Sequence, residues 1–420
     1  MSIFVNLVNL FLSNIFYGII TVRKECFTMI KRIFCFALTV CMCLCFFVAC
    51  TPREKIGYTN DNVKVLFLNV DRADCAIVSV DGKNYMIDTG EKQNAYRLIA
   101  ALNYMGIGKL DGLILTHTHD DHIGGAKTLL EYVEIDRIYS AAISENKKNG
   151  ENKIDNIAKN AMVEQVKLNH GDRIVIADDV GFDVLGPISY NNDDDNDNSL
   201  VLKLNVNGKK ILFTGDMQFA EEITLINAGK NLKADVLKVA NHGNKDATSV
   251  QFANAVSPKY AIISTNTDVD ADSANTRVLS ALSMADEIMI TSDYDIGVLM
   301  TVSTDGNISF ENPTAEEQGK LKITDAQSSV QAVKIYNDSD RDMDIGGFML
   351  YSENGDELFV FPKESKIQKG QYVTVACEGY SGDFIWHGED KAWNKKKGDI
   401  AILYDSFGNE LSRMIVPVSE

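Results

Sequence analysis

The chain has 420 residues, 45% of them hydrophobic and 24% charged, with a formal net charge of −18. That length and composition supply material for two sizeable cores, and the acidic balance disfavours undirected adhesion to nucleic acid or anionic lipid. A nuclease is not excluded, because a bound cation supplies positive potential locally.

The first fifty residues stand apart as an extension and signal segment. Lys31 and Arg32 precede the apolar run IFCFALTVCMCLCFFVAC, which reads as the n-region and h-region of an export signal. Met29 makes a better start for it than Met1. Residues 33–50 also approach the length of a membrane span, so an uncleaved anchor is the competing reading. The ending Val48–Cys50 resembles a bacterial lipobox, which makes Cys50 the expected lipidation site. Five of the eight cysteines lie upstream of Cys50, leaving Cys75 and Cys377 as ordinary thiols rather than a disulfide framework.

From Val63 the chain is dense in short strands: VKVLFLNV, CAIVSV, the turn DGKN and YMIDTG, a hairpin pattern. Asn94 to Tyr104 predicts a helix, LDGLILTH a strand, Ala126 to Val133 a helix and Ile135 to Ser140 a strand. This alternation indicates a layered α/β domain. NNDDDNDN, residues 191–198, reads as a solvent-facing acidic loop, since it lacks the spacing of an EF-hand calcium loop. VLKLNV, KKILFTGD, a helix from Phe219 to Ala228, ADVLKVANHG, AIISTN and DEIMITSD carry the domain over 60–310. ENPTAEEQGK, 311–320, is polar and aperiodic and reads as a linker. Residues 321–417 then change texture: VQAVKIYN, GGFMLYS, ELFVFP, YVTVAC, DIAILYD and SRMIVPV predict a small β-sandwich.

Chemistry concentrates in LILTHTHDDHIGG, residues 113–125. His117 and His119 are two apart in extended chain and point the same way from a strand end. Asp121 and His122 open the next helix, where Gly124 and Gly125 permit close backbone approach. Asp216 in LFTGDM and His242 in LKVANHG end two further strands, and strand-end loops on one sheet edge are where distant ligands meet. His117, His119, Asp121, His122, Asp216 and His242 together offer mixed nitrogen and oxygen ligation suited to zinc or manganese. Asp120, inside the run, is not counted among them. His170 and His387 lie at turns and read as exposed or hydrogen-bonding histidines. Lys238, just upstream of His242, reads as a residue of the sheet surface, with an approach to phosphate the alternative.

On these residues, 60–310 resembles the metallo-β-lactamase superfamily, whose HxHxDH signature appears as His117 to His122. It resembles more narrowly the ComEC/Rec2 competence proteins and their relatives, which include phosphorylcholine esterases of the envelope. FLNVDRADCAIV matches that family's opening motif with Asp74 on its acidic position, although Asn69 and Asp71-Arg72-Ala73 depart from the usual Asp and Gly-Gln-Gly. MIDTG places Asp88 on the motif that supports the site, and DNSLVLKL places Asn198 and Ser199 on a substrate-side loop. LFTGD supplies Asp216 as a bridging carboxylate, and ADVLKVANHG keeps His242 while Asn241 replaces a second histidine.

The resemblance implies an αββα sandwich and two divalent ions, zinc or manganese. Its implied catalytic residues are Asp121 and Asp216, with Asp88 orienting an imidazole such as that of His117. Asn198, Ser199 and Asn241 are implied substrate-binding donors, with turn capping the alternative for Asn198 and Ser199. As in that subfamily, no third-motif histidine is evident for the first ion, which leaves His117 and His119 with Asp216 unless His170 reaches in.

Residues 321–417 resemble the lamin-tail domain, an immunoglobulin-like β-sandwich, through VKIYNDSD, IGGFMLY, IQKGQYVTV and IAILYDSFGNEL. The resemblance implies a targeting module for a cell-envelope component or nucleic acid. Trp386 and Trp393 form either its binding surface or its packing, and Lys395 to Lys397 a solvated loop or a phosphate contact. The expectation is an exported, metal-dependent hydrolase of DNA or another phosphodiester, secreted or held on the outer face of a bacterial membrane by a lipid anchor. An envelope phosphorylcholine esterase and a binding lipoprotein with a degenerate site are the alternatives; oligomeric state is left open.

Overall fold

The computed structural model describes residues 59–144, 150–191 and 194–419, so the signal segment and Cys50 lie outside the described residues. Among the described residues, no helix is long and apolar enough to cross a membrane.

Two sheets face each other. The first has eight strands in the order Ile308–Glu311, Gly297–Val302, Val63–Leu68, Ala76–Val80, Lys83–Ile87, Gly112–Leu115, Arg137–Ala141 and Glu164–Leu168. The second has seven, ordered Glu287–Ile290, Tyr260–Ile263, Val236–Lys238, Lys209–Phe213, Val201–Val206, Val180–Gly186 and Arg173–Ala177. Strand Val63–Leu68 shows why they stack, because its side chains alternate between two apolar environments. Val63, Val65 and Phe67 enter the core between the sheets with Phe182, Leu202, Phe213 and Ile262. Leu66 and Leu68 face the opposite way, towards Leu98 and Leu102 of helix Ala95–Met105.

The second sheet likewise packs its outer face on helices Phe219–Asn227 and Val250–Val256 through Leu225, Phe252 and Leu237. The layering is therefore αββα. Strands buried on both faces leave polar residues to their ends, and those ends form the rim that carries the histidines.

The C-terminal region is a sandwich of two four-stranded sheets. One runs Leu321–Gln327, Ala332–Asn337, Tyr372–Cys377 and Phe384–Trp386, the other Glu357–Val360, Met349–Ser352, Asp399–Tyr404 and Glu410–Val416. Trp386 and Trp393 are 2% and 1% exposed and fill its core beside Phe348 and Phe361, so they serve packing and present no binding surface. Gln331 fastens the same core from inside: its Nε2 donates to the carbonyls of Ser328 and Trp393, both at 2.8 Å, and its Oε1 accepts from the Trp393 N–H at 2.9 Å.

The sandwich is fused to the first domain. Met349, Tyr351, Leu358, Ile402 and Tyr404 belong to the same buried cluster as the helix Ala95–Met105. The Tyr96 ring stacks on that of Tyr404 with centroids 4.3 Å apart and planes 6° apart. The Tyr132 hydroxyl donates to the Leu358 carbonyl at 2.6 Å, and Asn103 Nδ2 to that of Ser406 at 2.9 Å.

Candidate metal centre

His117 follows the end of strand Gly112–Leu115 and His122 lies in the short helix Asp120–Ile123 after it, and both are buried to within 1%. The turn after the neighbouring strand Lys83–Ile87 supplies Asp88, a non-glycine residue held at φ 59°. Its Oδ1 accepts the Thr116 N–H and its Oδ2 the Thr116 hydroxyl, each at 2.8 Å. Asp88 Oδ2 also lies 2.8 Å from His122 Nδ1 and accepts its proton. Asp88 thus orients His122 rather than His117.

His117 is held differently. Its Nδ1 lies 3.1 Å from Thr116 Oγ1 and 3.2 Å from Ser199 Oγ. With the Thr116 hydroxyl proton given to Asp88, the His117 Nδ1–H is left to donate to the hydroxyl oxygen. Ser199 Oγ also accepts the Asp216 N–H at 3.0 Å, which ties the His117 and Asp216 loops together. Gly215, at φ 49°, makes this approach feasible: a Cβ there would lie 2.9 Å from Ser199 Oγ.

Asp216 and His242 come from the second sheet. His242 and Asn241 occupy a turn with both residues in the left-handed region, at φ 52° and 47°. The Ser273 hydroxyl donates to the His242 carbonyl at 2.9 Å and holds that turn. His242 Nδ1–H donates to the Ser264 carbonyl at 3.0 Å.

Three imidazoles therefore have Nδ1 engaged and Nε2 turned inward, and among the described residues Nε2 of His117, His122 and His242 is in each case buried without a hydrogen-bond partner. Asp216 Oδ2 lies 3.1 Å from Nε2 of both His122 and His242, and Asp121 Oδ2 lies 3.4 Å from that of His242. A neutral imidazole in this tautomer aims a lone pair at a carboxylate oxygen, an arrangement that a cation between them relieves.

Protons fill that role when a metal does not. Burial opposes the charged form of His242, but Asp216 and Asp121 outweigh it and push the ring up to about 10. Burial opposes charge on His122 too, and Asp216 with Asp88 drives it well above its ordinary value. His117 moves the other way, down to about 3, through burial and the positive neighbour His122. Burial would raise Asp216, yet His122 and His242 hold it well below the usual carboxylate range.

Ligand atoms of Asp121, His122, Asp216 and His242 all lie within 4.8 Å of one another, as do those of Asp74, Asp88 and His122. These Asp and His groups suit a dinuclear metal site. His119, partly exposed, adjoins through His117, with ring centroids 4.7 Å apart. His170 is exposed near Lys230 and does not reach the site, and His387 is exposed on the other domain. Asp120 faces solvent and pairs with Lys153 at 2.5 Å.

Several expectations need correction. Asn198 is 1% exposed and its amide is spent inside its own loop, accepting the Asn191 N–H and donating to Asn191 O and Asp195 Oδ1. Ser199 is fully buried and works on His117 and Asp216, so neither residue faces a substrate. Asn241 donates to Asp246 at 2.8 Å. Over residues 194–198 the acidic stretch is not solvated: Asp195 and Asp197 are buried, Asp195 accepts from the Thr118 N–H at 3.0 Å, and Asp197 accepts the N–H groups of Gln218 and Glu221 at the start of helix Phe219–Asn227. Lys238 is not at the surface either, being 4% exposed and paired with Asp74.

Residues 68–267 match the Metallo-beta-lactamase superfamily and residues 306–416 the Lamin Tail Domain. The chain is 37% identical over 184 residues to ComE operon protein 3 of Bacillus subtilis, covering 43% of this chain and 23% of that protein. It is 30% identical over 190 residues to Competence protein ComA of Neisseria gonorrhoeae, covering 45% and 25%. The chain thus spans about a quarter of the length of these curated relatives. A solved metallo-beta-lactamase fold protein, YhfI of Bacillus subtilis, aligns at 13% identity and a TM-score of 0.41, covering 58% of this chain and all of that one. Residues 68–267 thus carry a domain of the metallo-β-lactamase superfamily, similar in sequence to the ComEC/Rec2 competence proteins, and residues 306–416 a C-terminal lamin tail domain.

Proposed function

We propose that the chain is an exported phosphodiesterase of nuclease type, held at a bacterial membrane through Cys50 and using zinc or manganese. The observation that carries the reading is the pair of inward Nε2 atoms of His122 and His242, each 3.1 Å from Asp216 Oδ2, with the His117 ring 4.2 Å from that of His122 and the Nδ1 of all three already engaged. His117, His119, Asp121, His122, Asp216 and His242 would hold the ions. When bound, these lower the pKa of a water and neutralise charge developing on phosphoryl oxygens.

The chain's own residues do the rest. Asp88, Ser264 and the Thr116–Ser199 pair fix the imidazole tautomers before substrate arrives. Asp121, with a side chain 31% exposed, stands at the mouth of the site; burial opposes its charge, but His242 and His122 hold its carboxyl well below the usual range, so it stays ionised as a ligand. The competence names of the relatives favour DNA as the phosphodiester. The C-terminal domain is assigned to an envelope partner, with the exposed Lys396 and Lys397 as its basic contact.

The test is hydrolysis of single-stranded and duplex DNA, RNA, phosphorylcholine esters and a small aryl phosphodiester with zinc and with manganese, beside Asp216→Ala. Metal-dependent turnover that collapses in the variant is expected. Turnover indifferent to Asp216 would discard the mechanism, and preference for phosphorylcholine esters would move the substrate to the envelope.

A further inference from the structure

The group Asp74, Asp88 and His122 has the geometry of a cation site, and the chain places a cation of its own against it. Lys238, the last residue of strand Val236–Lys238, forms an ion pair with Asp74 in which the side chains are 5% and 6% exposed. The pair borders a small space shared with Asp88, Thr116 and Ser264, of about 10 Å³, room for at most one water. Two charges taken out of water need each other, because either one alone bears its full desolvation cost.

The two partners belong to opposite sheets. Asp74 follows strand Val63–Leu68 of the first sheet, and its backbone is joined to both ligand-bearing segments there. Its N–H donates to the Asp121 carbonyl at 3.1 Å, and its carbonyl accepts the Gly90 N–H, two residues beyond Asp88, at 2.8 Å. Lys238 lies in the middle of the second sheet, in register with Phe213 and Ile262. Its carbonyl accepts the Thr214 hydroxyl at 2.6 Å, two residues before Asp216. The pair is thus a cross-link beneath the centre, with one end on the Asp121 and Asp88 segments and the other on the Asp216 segment.

We propose that Lys238 is a positioning residue for the metal centre: through Asp74 it fixes the spacing between the ligands of the first sheet, Asp121 and His122, and those of the second, Asp216 and His242. This rests on the metal-centre reading above. Lys238 contributes no ligand atom, and its effect is transmitted through the backbone of Asp74.

The experiment compares the wild-type chain with Lys238→Met, the neutral pair Asp74→Asn/Lys238→Met, and Gln331→Ala. Gln331→Ala serves as a destabilised control in the distant C-terminal core. Zinc affinity is measured by chelator competition, and the visible absorption of the cobalt(II)-loaded protein reads ligand number and geometry. Lys238→Met and the neutral pair are expected to lose roughly tenfold or more in zinc affinity, as other residues behind metal ligands do, and to change the cobalt bands. Gln331→Ala should melt earlier with both readouts unchanged.

The neutral pair buries no lone charge, so it decides the matter if Lys238→Met does not fold. A folded neutral pair with wild-type affinity and cobalt spectrum would overturn the proposal. So would a neutral pair that fails to fold, which would mark the contact as an element of folding alone. Wild-type protein that retains neither zinc nor manganese would remove the metal-centre reading itself, a result visible before any variant is made.

Discussion

The histidine rim and the core of the C-terminal sandwich treat buried polar atoms differently, although Glu357 Oε2 on the sandwich's edge strand Glu357–Val360 is also buried without a hydrogen-bond partner among the described residues. In the sandwich Gln331 satisfies its amide three times over, and Asp399 accepts from the Ser352 hydroxyl and from the N–H groups of Asn354 and Asn394. At the rim, Nε2 of His117 and Oδ1 of Asp216 are buried with no hydrogen-bond partner among the described residues, and Nε2 of His122 and of His242 face only carboxylate oxygens. A buried polar atom that only a proton or a metal ion can satisfy is costly, so a fold that gathers four of them in one place has kept them for something other than folding. The sandwich is built for stability and the rim for chemistry.

His122→Ala attacks that contrast at its sharpest point, since it removes an inward Nε2 and leaves Asp88 without its imidazole. Phosphodiester turnover should fall by about 10²–10³-fold or more while the protein stays folded. A variant within a few-fold of wild type would show that the rim's unpaired atoms do no chemistry.

Tyr404→Ala tests the other side. It removes the ring stacked on Tyr96 and should cost about 3 kcal/mol in denaturant titrations, with kcat per folded molecule unchanged. A matching loss of kcat would blur the division between the two regions. Asp88→Asn, which weakens the acceptor at His122 Nδ1, should reduce metal affinity by roughly 10- to 100-fold, measured by chelator competition.

Proton accounting sharpens the comparison further. Without metal, His122 and His242 hold protons at neutral pH, so zinc binding at pH 7 should release about two of them, read by calorimetry in buffers of different ionisation enthalpy. Affinity should accordingly decline as pH falls, and binding without proton release would contradict the tautomer scheme.

The smallest effect is expected at Glu221, a buried carboxyl between the two extremes. Burial pushes it up to about 7, against the lowering effect of the Ile188 N–H it accepts. A carboxyl whose folded pKa exceeds its unfolded value contributes stability below the unfolded value, and this is lost as pH rises through about 7. Glu221→Gln keeps the acceptor and should gain on the order of 1 kcal/mol at pH 8 and nothing at pH 4.

The layered α/β fold and the C-terminal sandwich were legible because alternation of apolar residues and turn chemistry are local signals. His117, Asp216 and His242 were conspicuous for a similar reason, each being a polar residue just past an apolar strand, and His122 through its place in the HxHxDH run. The partnerships behind them were not legible. Asp88 takes His122 instead of His117 because the Thr116 hydroxyl stands between, a matter of rotamers across two strands. Asp195 and Asp197 sit in a run whose composition reads as solvated, yet it folds inward to meet Thr118 and the start of a helix. Lys238 looked like a surface residue because nothing adjacent in sequence announces Asp74, 164 positions away.

The Tyr96–Tyr404 stack also bears on how this chain can be divided. A linker of ordinary polar composition at 311–320 suggests a place where one half could be exchanged for another. Cutting there would expose the apolar face of helix Ala95–Met105, because that helix uses Met349, Tyr351 and Tyr404 to complete its own core. The tail domain is therefore not an interchangeable cassette: transplanting it requires carrying its tyrosine-bearing docking helix as well.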